Sequence, residues 1–258
     1  MTARALWERL RGRCQRSLSS ATWRRPVRLR NETPLISFSF DDFPASALRV
    51  GGAILRAHGA AGTFYASLGL MHREEPVGRI CSHEDLADAL KQGHELGCHT
   101  FGHCDAWGTK ARVFEASILE NRCALKRIVP NAQFETLAYP INSPRPGTKR
   151  CAGRHFSACR GGGQTINVGT MDLNNLKGFF LEQSRDRPDA IRQMIDRNRR
   201  ERGWLIFATH DVRPQPSRFG CTPEFFEDVV RWATGSGARV LPVARALAEA
   251  ARPFRDGV

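Results

Sequence analysis

Three absences narrow this 258-residue chain before any motif is read. There is no run of about 18 apolar residues, so a membrane-spanning helix is not expected. The first thirty residues lack a continuous apolar segment, so export by a signal peptide is not expected either. The eight cysteines (14, 81, 98, 104, 123, 151, 159 and 221) include no CxxC pair. With no secretory signal ahead of them, they read as reduced thiols of a cytoplasmic protein. No internal repeat or low-complexity segment occurs, and the length suits one large core.

Acidic residues are scarce at one end. Residues 1–30 carry nine arginines against Glu8 alone, which places about +8 of the net charge of +13 there. Residues 1–33 are therefore expected to form a basic, solvated and partly disordered arm ahead of a globular unit over 34–258. Leu6, Leu10, Cys14 and Leu18 recur every four residues with Trp7 beside them, the pattern of a short basic amphipathic helix. Such a helix could make peripheral contact with an anionic membrane. Nucleic acid is not expected as a partner, because that reading would rest on the charge of the arm alone.

What is present is a succession of strand-like and helix-like stretches. Leu35 to Phe40 is apolar or aromatic apart from two serines, which reads as a strand buried on both faces, and it stops on Asp41-Asp42 and Pro44. Helical spacing follows over 45–58, a strand over 62–67, a helix over 83–92 capped by Ser82, and a strand over 94–98. Further on come a long helix over 111–128, a strand over 134–139 stopped by Pro140, and a short strand over 156–159. A helix over 188–199, a strand over 204–209, a helix over 223–234, a strand over 239–242 and a helix over 244–251 complete the chain. Residues 161–177 show little periodicity and are read as a loop that could meet substrate. Six or seven strands alternating with helices favour an α/β barrel over an open doubly wound sheet.

Three of these strands end on ionisable residues. Asp41 and Asp42 are neighbours on an extended chain, so they point in different directions and can take different tasks, one toward a metal and one toward a substrate. His99 and His103 stand four apart, on one face of an expected helical turn, so both imidazoles can reach one ion. His210 closes the strand over 204–209, followed by Asp211. In a parallel fold the strand ends on one side form the active face, and the three deliveries converge there. Two imidazoles and one carboxylate leave coordination positions open and suit Zn²⁺, with Co²⁺, Fe²⁺, Mn²⁺ or Ni²⁺ also compatible. A second carboxylate and a third imidazole can then move the protons, which is equipment for hydrolysing an amide. Cys98 and Cys104 flank the histidines and are read as small apolar fillers rather than ligands.

The set FSFDD, then H-x3-H 57 residues after Asp42, then Tyr-Pro and a late strand ending in His, resembles the polysaccharide deacetylase family (carbohydrate esterase family 4, the NodB-like homology domain) over about Pro34 to Leu247. The resemblance implies a distorted (β/α)7 barrel and metal-dependent removal of acetate from N-acetylated sugars. It implies Asp42, His99 and His103 as metal ligands, Asp41 as the base that activates water, and His210 as the acid that protonates the departing amine. The backbone N–H of Ile141 would help stabilise the oxyanion. Two family motifs depart from pattern. Where many members have Arg-x-Pro, this chain has Ala138-Tyr139-Pro140, and Arg160, just after the 156–159 strand, is the candidate for the missing guanidinium. No Asp-Trp motif is present, so what orients His210 is not identified, and Asp211 is too close along the strand to reach it. Trp107, Phe101 and Tyr139 lie near the motifs and could stack on a sugar ring. Two other functions stay open: a C–N hydrolase of the same superfamily acting on a cyclic amide or ureide, and a non-catalytic sugar-binding protein.

Overall fold

The structure, a computed structural model, describes residues 14–251 apart from residue 16. The strands are β1 (Pro26–Arg28), β2 (Leu35–Phe40), β3 (Thr63–Ala66), β4 (Glu74–Glu75), β5 (Gly78–Arg79), β6 (Glu95–Cys98), β7 (Thr136–Ala138), β8 (Ala158–Gly161), β9 (Thr170–Asp172), β10 (Leu176–Phe180), β11 (Trp204–Thr209) and β12 (Arg239–Val240). The helices are α1 (Ala53–Ala57), α2 (His83–Lys91), α3 (Ala111–Ile128), α4 (Pro146–His155), α5 (Pro188–Arg200), α6 (Pro223–Gly235) and α7 (Val243–Ala250). No described helix is long and apolar enough to cross a membrane.

Seven parallel strands, in the order β2, β3, β6, β7, β8, β10, β11, close into a barrel when β11 pairs back onto β2 along its whole length, from Trp204 opposite Leu35 to Thr209 opposite Phe40. This is the (β/α)7 architecture expected from the sequence. Its distortion has a local cause. β2 pairs with β3 only through Ser39 and Phe40, and β12 pairs with the Leu35–Ile36 end instead.

Alternation along β2 explains the two-layered core. Phe38 and Phe40 pack outward on Phe207, Phe64 and Phe226 of the surrounding shell, with ring centroids 4.7–5.6 Å apart. Each such buried ring is worth about 1.5–3 kcal/mol. Ser37 and Ser39 have the opposite parity, and both are satisfied: Trp204 Nε1 donates to Ser37 Oγ (3.0 Å), and Ser39 Oγ donates to the Phe207 carbonyl (2.9 Å). Leu35, Trp204, Ile206 and Val243 form a second apolar cluster at the opposite end of the barrel from the ionisable residues.

Several elements differ from the sequence reading. The stretch 45–58 begins with π-helical turns over Ala47–Gly52 before α1. Gly51 permits this packing, since a Cβ there would lie 2.9 Å from the Phe40 ring. α4, the β4–β5 hairpin, β9 and β10 occupy stretches to which no element was assigned. The segment 161–177 is not a substrate loop: it runs alongside the barrel, where Asn167 pairs with the backbone of Trp204, and it ends in β9 and the start of β10. β8 is displaced two residues from its expected position, so Arg160 lies within the strand rather than after it.

The end of the basic arm is not free. Most of the expected amphipathic helix, with Leu6, Trp7 and Leu10, lies outside the described residues, but residues from Ser19 onward pack on the barrel. β1 pairs antiparallel with β9. The buried Lys149 donates from Nζ to the carbonyls of Ser19 and Thr22 and to Asp172 Oδ2 (2.6 Å), and Asp172 Oδ1 accepts the Arg25 N–H (2.9 Å). Lys149→Met would leave a buried carboxylate and two carbonyls without their cation. The expected result is a loss of about 3 kcal/mol in a urea titration and new protease cleavage within residues 17–30. Unchanged cleavage would show that Lys149 does not anchor the segment.

Candidate active site

The strand ends are the natural place for a site because their backbone pairing stops there while their register is still enforced. Asp41 N–H donates to Thr209 O (2.9 Å), so the last residues of β2 and β11 deliver Asp41, Asp42 and His210 side by side. His99 N–H donates to Ala66 O (3.0 Å) at the end of β6. The segment from His99 to His103 is a turn, not a helix, with Thr100 and His103 at φ of 60° and 52°. α3 holds it where Ser117 Oγ accepts the Phe101 N–H (2.9 Å), and the turn closes on itself where Thr100 Oγ1 accepts the Cys104 N–H (2.8 Å). Of the ten non-glycine residues with positive φ among the described residues, six (Asp42, Phe43, Thr100, His103, Ile141, Asn142) sit in the loops at this one mouth. Backbone strain of this kind is concentrated where function requires a fixed geometry.

Asp42 Oδ1 lies 3.5 Å from His99 Nε2 and 3.3 Å from His103 Nε2, and Asp42 Oδ2 lies 3.9 Å from His210 Nε2. His99 Nδ1 donates to the Ala138 carbonyl (2.8 Å), which fixes the tautomer and leaves the Nε2 lone pair facing Asp42. Burial pushes the His99 imidazole down to about 4, against the opposing pull of Asp41, so it is neutral as a ligand must be. Asp42 Oδ1 is buried and accepts no hydrogen bond. An orphaned carboxylate oxygen facing two imidazole nitrogens fits a divalent ion.

A second grouping, Glu115, Cys151 and His155, also brings its potential ligand atoms within 4.8 Å of one another. There Glu115 Oε1 already accepts from His155 Nε2 (2.7 Å) and Arg154 Nη2 (3.0 Å), so it is an ordinary ion-pair cluster.

Asp41 is buried and pairs through Oδ1 with Nη2 of Arg160, whose side chain is fully buried. Burial alone would push the Asp41 carboxyl up. The Arg160 guanidinium, together with His99 and His210, outweighs it and holds the carboxyl below the usual range. The cation absent from Ala138-Tyr139-Pro140 thus arrives from β8, where Arg160 packs between the rings of Tyr65 and Phe180.

Among the described residues His210 has no orienting hydrogen bond: its Nδ1 is buried without a partner, and its ring lies 5.2 Å from that of Phe219. Asp211 turns away, accepting from Arg213 Nε (2.9 Å), Ser217 N (2.8 Å) and Ser217 Oγ (2.5 Å), and so shapes the following loop.

A cavity of about 410 Å³ opens on these groups, lined by Asp41, Asp42, His99, His103 and His210 together with Ile141, Asn142, Phe180, Glu182 and Phe219, and by Glu75, Pro76 and Val77 of the β4–β5 hairpin. Ile141 is exposed in the left-handed region (φ 60°), and among the described residues its N–H reaches no acceptor. Three expected sugar platforms are not in the lining. Tyr139 is core, its hydroxyl donating to Asn174 O (2.9 Å); the Phe101 ring packs on Gly69; Trp107 is half-buried away from the cavity. Cys98 is also core, its sulfur accepting from Asn121 Nδ2 (3.3 Å). Glu182, which carried no motif, is the residue sequence reasoning missed.

A parallel barrel that gathers two aspartates, three imidazoles and a buried guanidinium at the C-terminal ends of its strands is a hydrolytic fold and site of the deacetylase class. Residues 28–154 match the family model for polysaccharide deacetylase. The chain is a hydrolase acting on C–N bonds other than peptide bonds. Among solved structures it is similar to the chitin deacetylase from the fungal pathogen Colletotrichum lindemuthianum, at 16% identity over 89% of this chain and 97% of that one with a TM-score of 0.60. It is also similar to a family 4 acetyl xylan esterase from Clostridium thermocellum in complex with a cobalt ion (16% identity, 83% and 90% covered, TM-score 0.57). A third is a CE4 family pseudoenzyme from Bacillus anthracis (12% identity, 86% and 68% covered, TM-score 0.60). At these identities the likeness is one of fold. No curated protein sequence matches the chain.

Proposed function

We propose that this protein is a divalent-metal-dependent N-deacetylase of small or lipid-linked N-acetylated sugars. The observation that carries the reading is the unpartnered Asp42 Oδ1 facing two imidazole nitrogens, with a buried, arginine-held Asp41 beside it. Asp42, His99 and His103 would hold the ion, and Zn²⁺ suits this donor set best, with Co²⁺, Fe²⁺, Mn²⁺ or Ni²⁺ as the other candidates. When bound, such an ion polarises the acyl carbonyl and makes water a stronger acid.

The chain's own groups do the rest. Arg160 occupies Asp41 Oδ1 and keeps the carboxylate ionised, while no described donor reaches Oδ2, which is left to accept a proton from the attacking water. The Ile141 N–H points its unused donor to the oxygen that gains charge as the carbonyl carbon becomes tetrahedral. His210 delivers a proton from Nε2 to the departing amine nitrogen. Free thiols at all eight cysteines support retention in a reducing compartment, where wall polymer would not be met.

The test is elemental analysis followed by acetate release from N-acetylglucosamine oligomers before and after chelation. One equivalent of metal and chelator-sensitive release is the expected result. Asp42→Ala, His99→Ala and His103→Ala should each lower bound metal well below one equivalent. Metal without acetate release would favour a hydrolase of cyclic amides or ureides, and a metal-free protein would overturn the ligand set.

A further inference from the structure

The turn after β7 carries a polar side chain that the mechanism leaves unused. Asn142 follows Ile141, shares its left-handed backbone (φ 64°) and lines the cavity. Its backbone is pinned on both sides: the Asn142 N–H donates to Tyr139 O (2.9 Å), and its carbonyl accepts the Gly162 N–H (3.0 Å). Two residues of the glycine run over 161–163 find their reason here. A Cβ at Gly161 would lie 2.8 Å from the Asn142 carbonyl oxygen, and one at Gly162 would lie 3.3 Å from Asn142 Cβ. The glycines leave room for Asn142 against the end of β8.

The side chain is oriented as well. Asn142 Oδ1 accepts from Arg160 Nη1 (3.3 Å), and because a guanidinium can only donate, the amide oxygen faces Arg160 and the amide nitrogen is turned away from it. Nδ2 reaches no acceptor among the described residues, yet it is not one of the buried atoms left without a partner, so its N–H groups are open to solvent where Asn142 lines the cavity. A cation on the oxygen polarises the amide and makes those N–H groups stronger donors. The other amide side chain in the lining is the exposed Gln183, whereas Asn142 stands one residue from the Ile141 N–H.

We propose that Asn142 Nδ2 is a second donor, beside the Ile141 N–H, to the oxygen that gains charge as the acyl carbon becomes tetrahedral. The inference rests on the deacetylase reading and gives a task to a residue which that reading leaves idle. Arg160 then serves the reaction twice: Nη2 holds Asp41, and Nη1 aims the asparagine.

The experiment uses the full metal-loaded chain and N142G, which removes the side chain and leaves the left-handed backbone available. Calorimetry measures the binding of acetate, the product that keeps the reacting oxygen. Amine release gives kcat and KM for N-acetylglucosamine oligomers and for their N-thioacetyl analogues, whose sulfur accepts hydrogen bonds poorly. N142G should bind acetate at least about fivefold more weakly and lower kcat on the oxygen substrate about 10²-fold, with KM within about threefold. The sulfur substrate should lose about tenfold or less, so that the oxygen-to-sulfur rate ratio falls by about tenfold. N142D keeps the shape and loses the donors; it should weaken acetate binding at least as much, and it supplies the reading if N142G does not fold. An unchanged acetate affinity, or equal losses on both substrates as mere support of Arg160 would give, would overturn the proposal. The expected acetate affinities with no amine released from any sugar amide would overturn the deacetylase reading and leave the donor standing. Full turnover of the oxygen substrate by N142G would do the reverse.

Discussion

Asp41→Asn should lower the turnover number by about 10²–10⁴-fold while leaving the bound metal at the level of the unsubstituted protein. The asparagine keeps the shape and can still accept from Arg160 through its amide oxygen, so the barrel mouth keeps its packing. What it loses is the carboxylate oxygen that no protein donor occupies, the one placed to take a proton from water. The metal ligands are different atoms on Asp42, His99 and His103, and none of them bonds Asp41 directly. Acetate release and elemental analysis on the same preparation separate the two effects. Full activity in Asp41→Asn would remove Asp41 from the proton-transfer step. Loss of metal together with activity would mean that the substitution had disturbed the ligand set instead.

The residues of the site were legible where a buried strand and its polar terminus are both written locally. In FSFDD, GCHTFGH and FATHD the apolar run announces the strand, and the ionisable residues follow where its pairing stops. Tyr139 carries no such distinction. An aromatic ring with a hydroxyl suits a sugar platform or a core position equally, and only the distant Asn174 carbonyl decides for the core. Two of the missed elements, α4 and β10, share a physical cause, because their patterns are broken by glycines that answer to contacts far away in sequence. In α4, a Cβ at Gly153 would lie 2.5 Å from Asn174 Oδ1; in β10, a Cβ at Gly178 would lie 2.9 Å from the Gly161 carbonyl and 3.1 Å from Arg160 Cδ. The small residue that makes room for Arg160 thus also hides the strand leading to Glu182. The end of the basic arm was misread for a related reason. Its arginine content suggests solvation, while the group that anchors it, Lys149, is buried more than a hundred residues away.

Arg160→Met should be the most destabilising single substitution at the site, by about 3–5 kcal/mol at neutral pH in metal-free protein. It removes one partner of a buried pair and leaves the buried Asp41 carboxyl without its cation and with little water to replace the guanidinium. The pH dependence gives a sharper readout than the magnitude. In the unsubstituted protein the Asp41 carboxyl is held below its unfolded value of about 3.9, so the pair contributes full stability above that pH and loses it as the pH falls through the folded value. Without Arg160 the burial that now opposes ionisation dominates, and the folded value rises above the unfolded one. The contribution then changes sign: stability falls as the pH rises from about 4 toward the new folded value and recovers in acid. Urea titrations of the chelated proteins between pH 3.5 and 8 should therefore show curves that converge at low pH. Asp41→Asn on the Arg160→Met background should restore part of the loss at pH 7, because it discharges the buried carboxylate. Parallel curves across this range would mean that Arg160 stabilises the barrel through its packing between Tyr65 and Phe180 rather than through Asp41. Convergence would establish that a guanidinium carried by β8 holds Asp41 ionised in the place of the one absent from Ala138-Tyr139-Pro140.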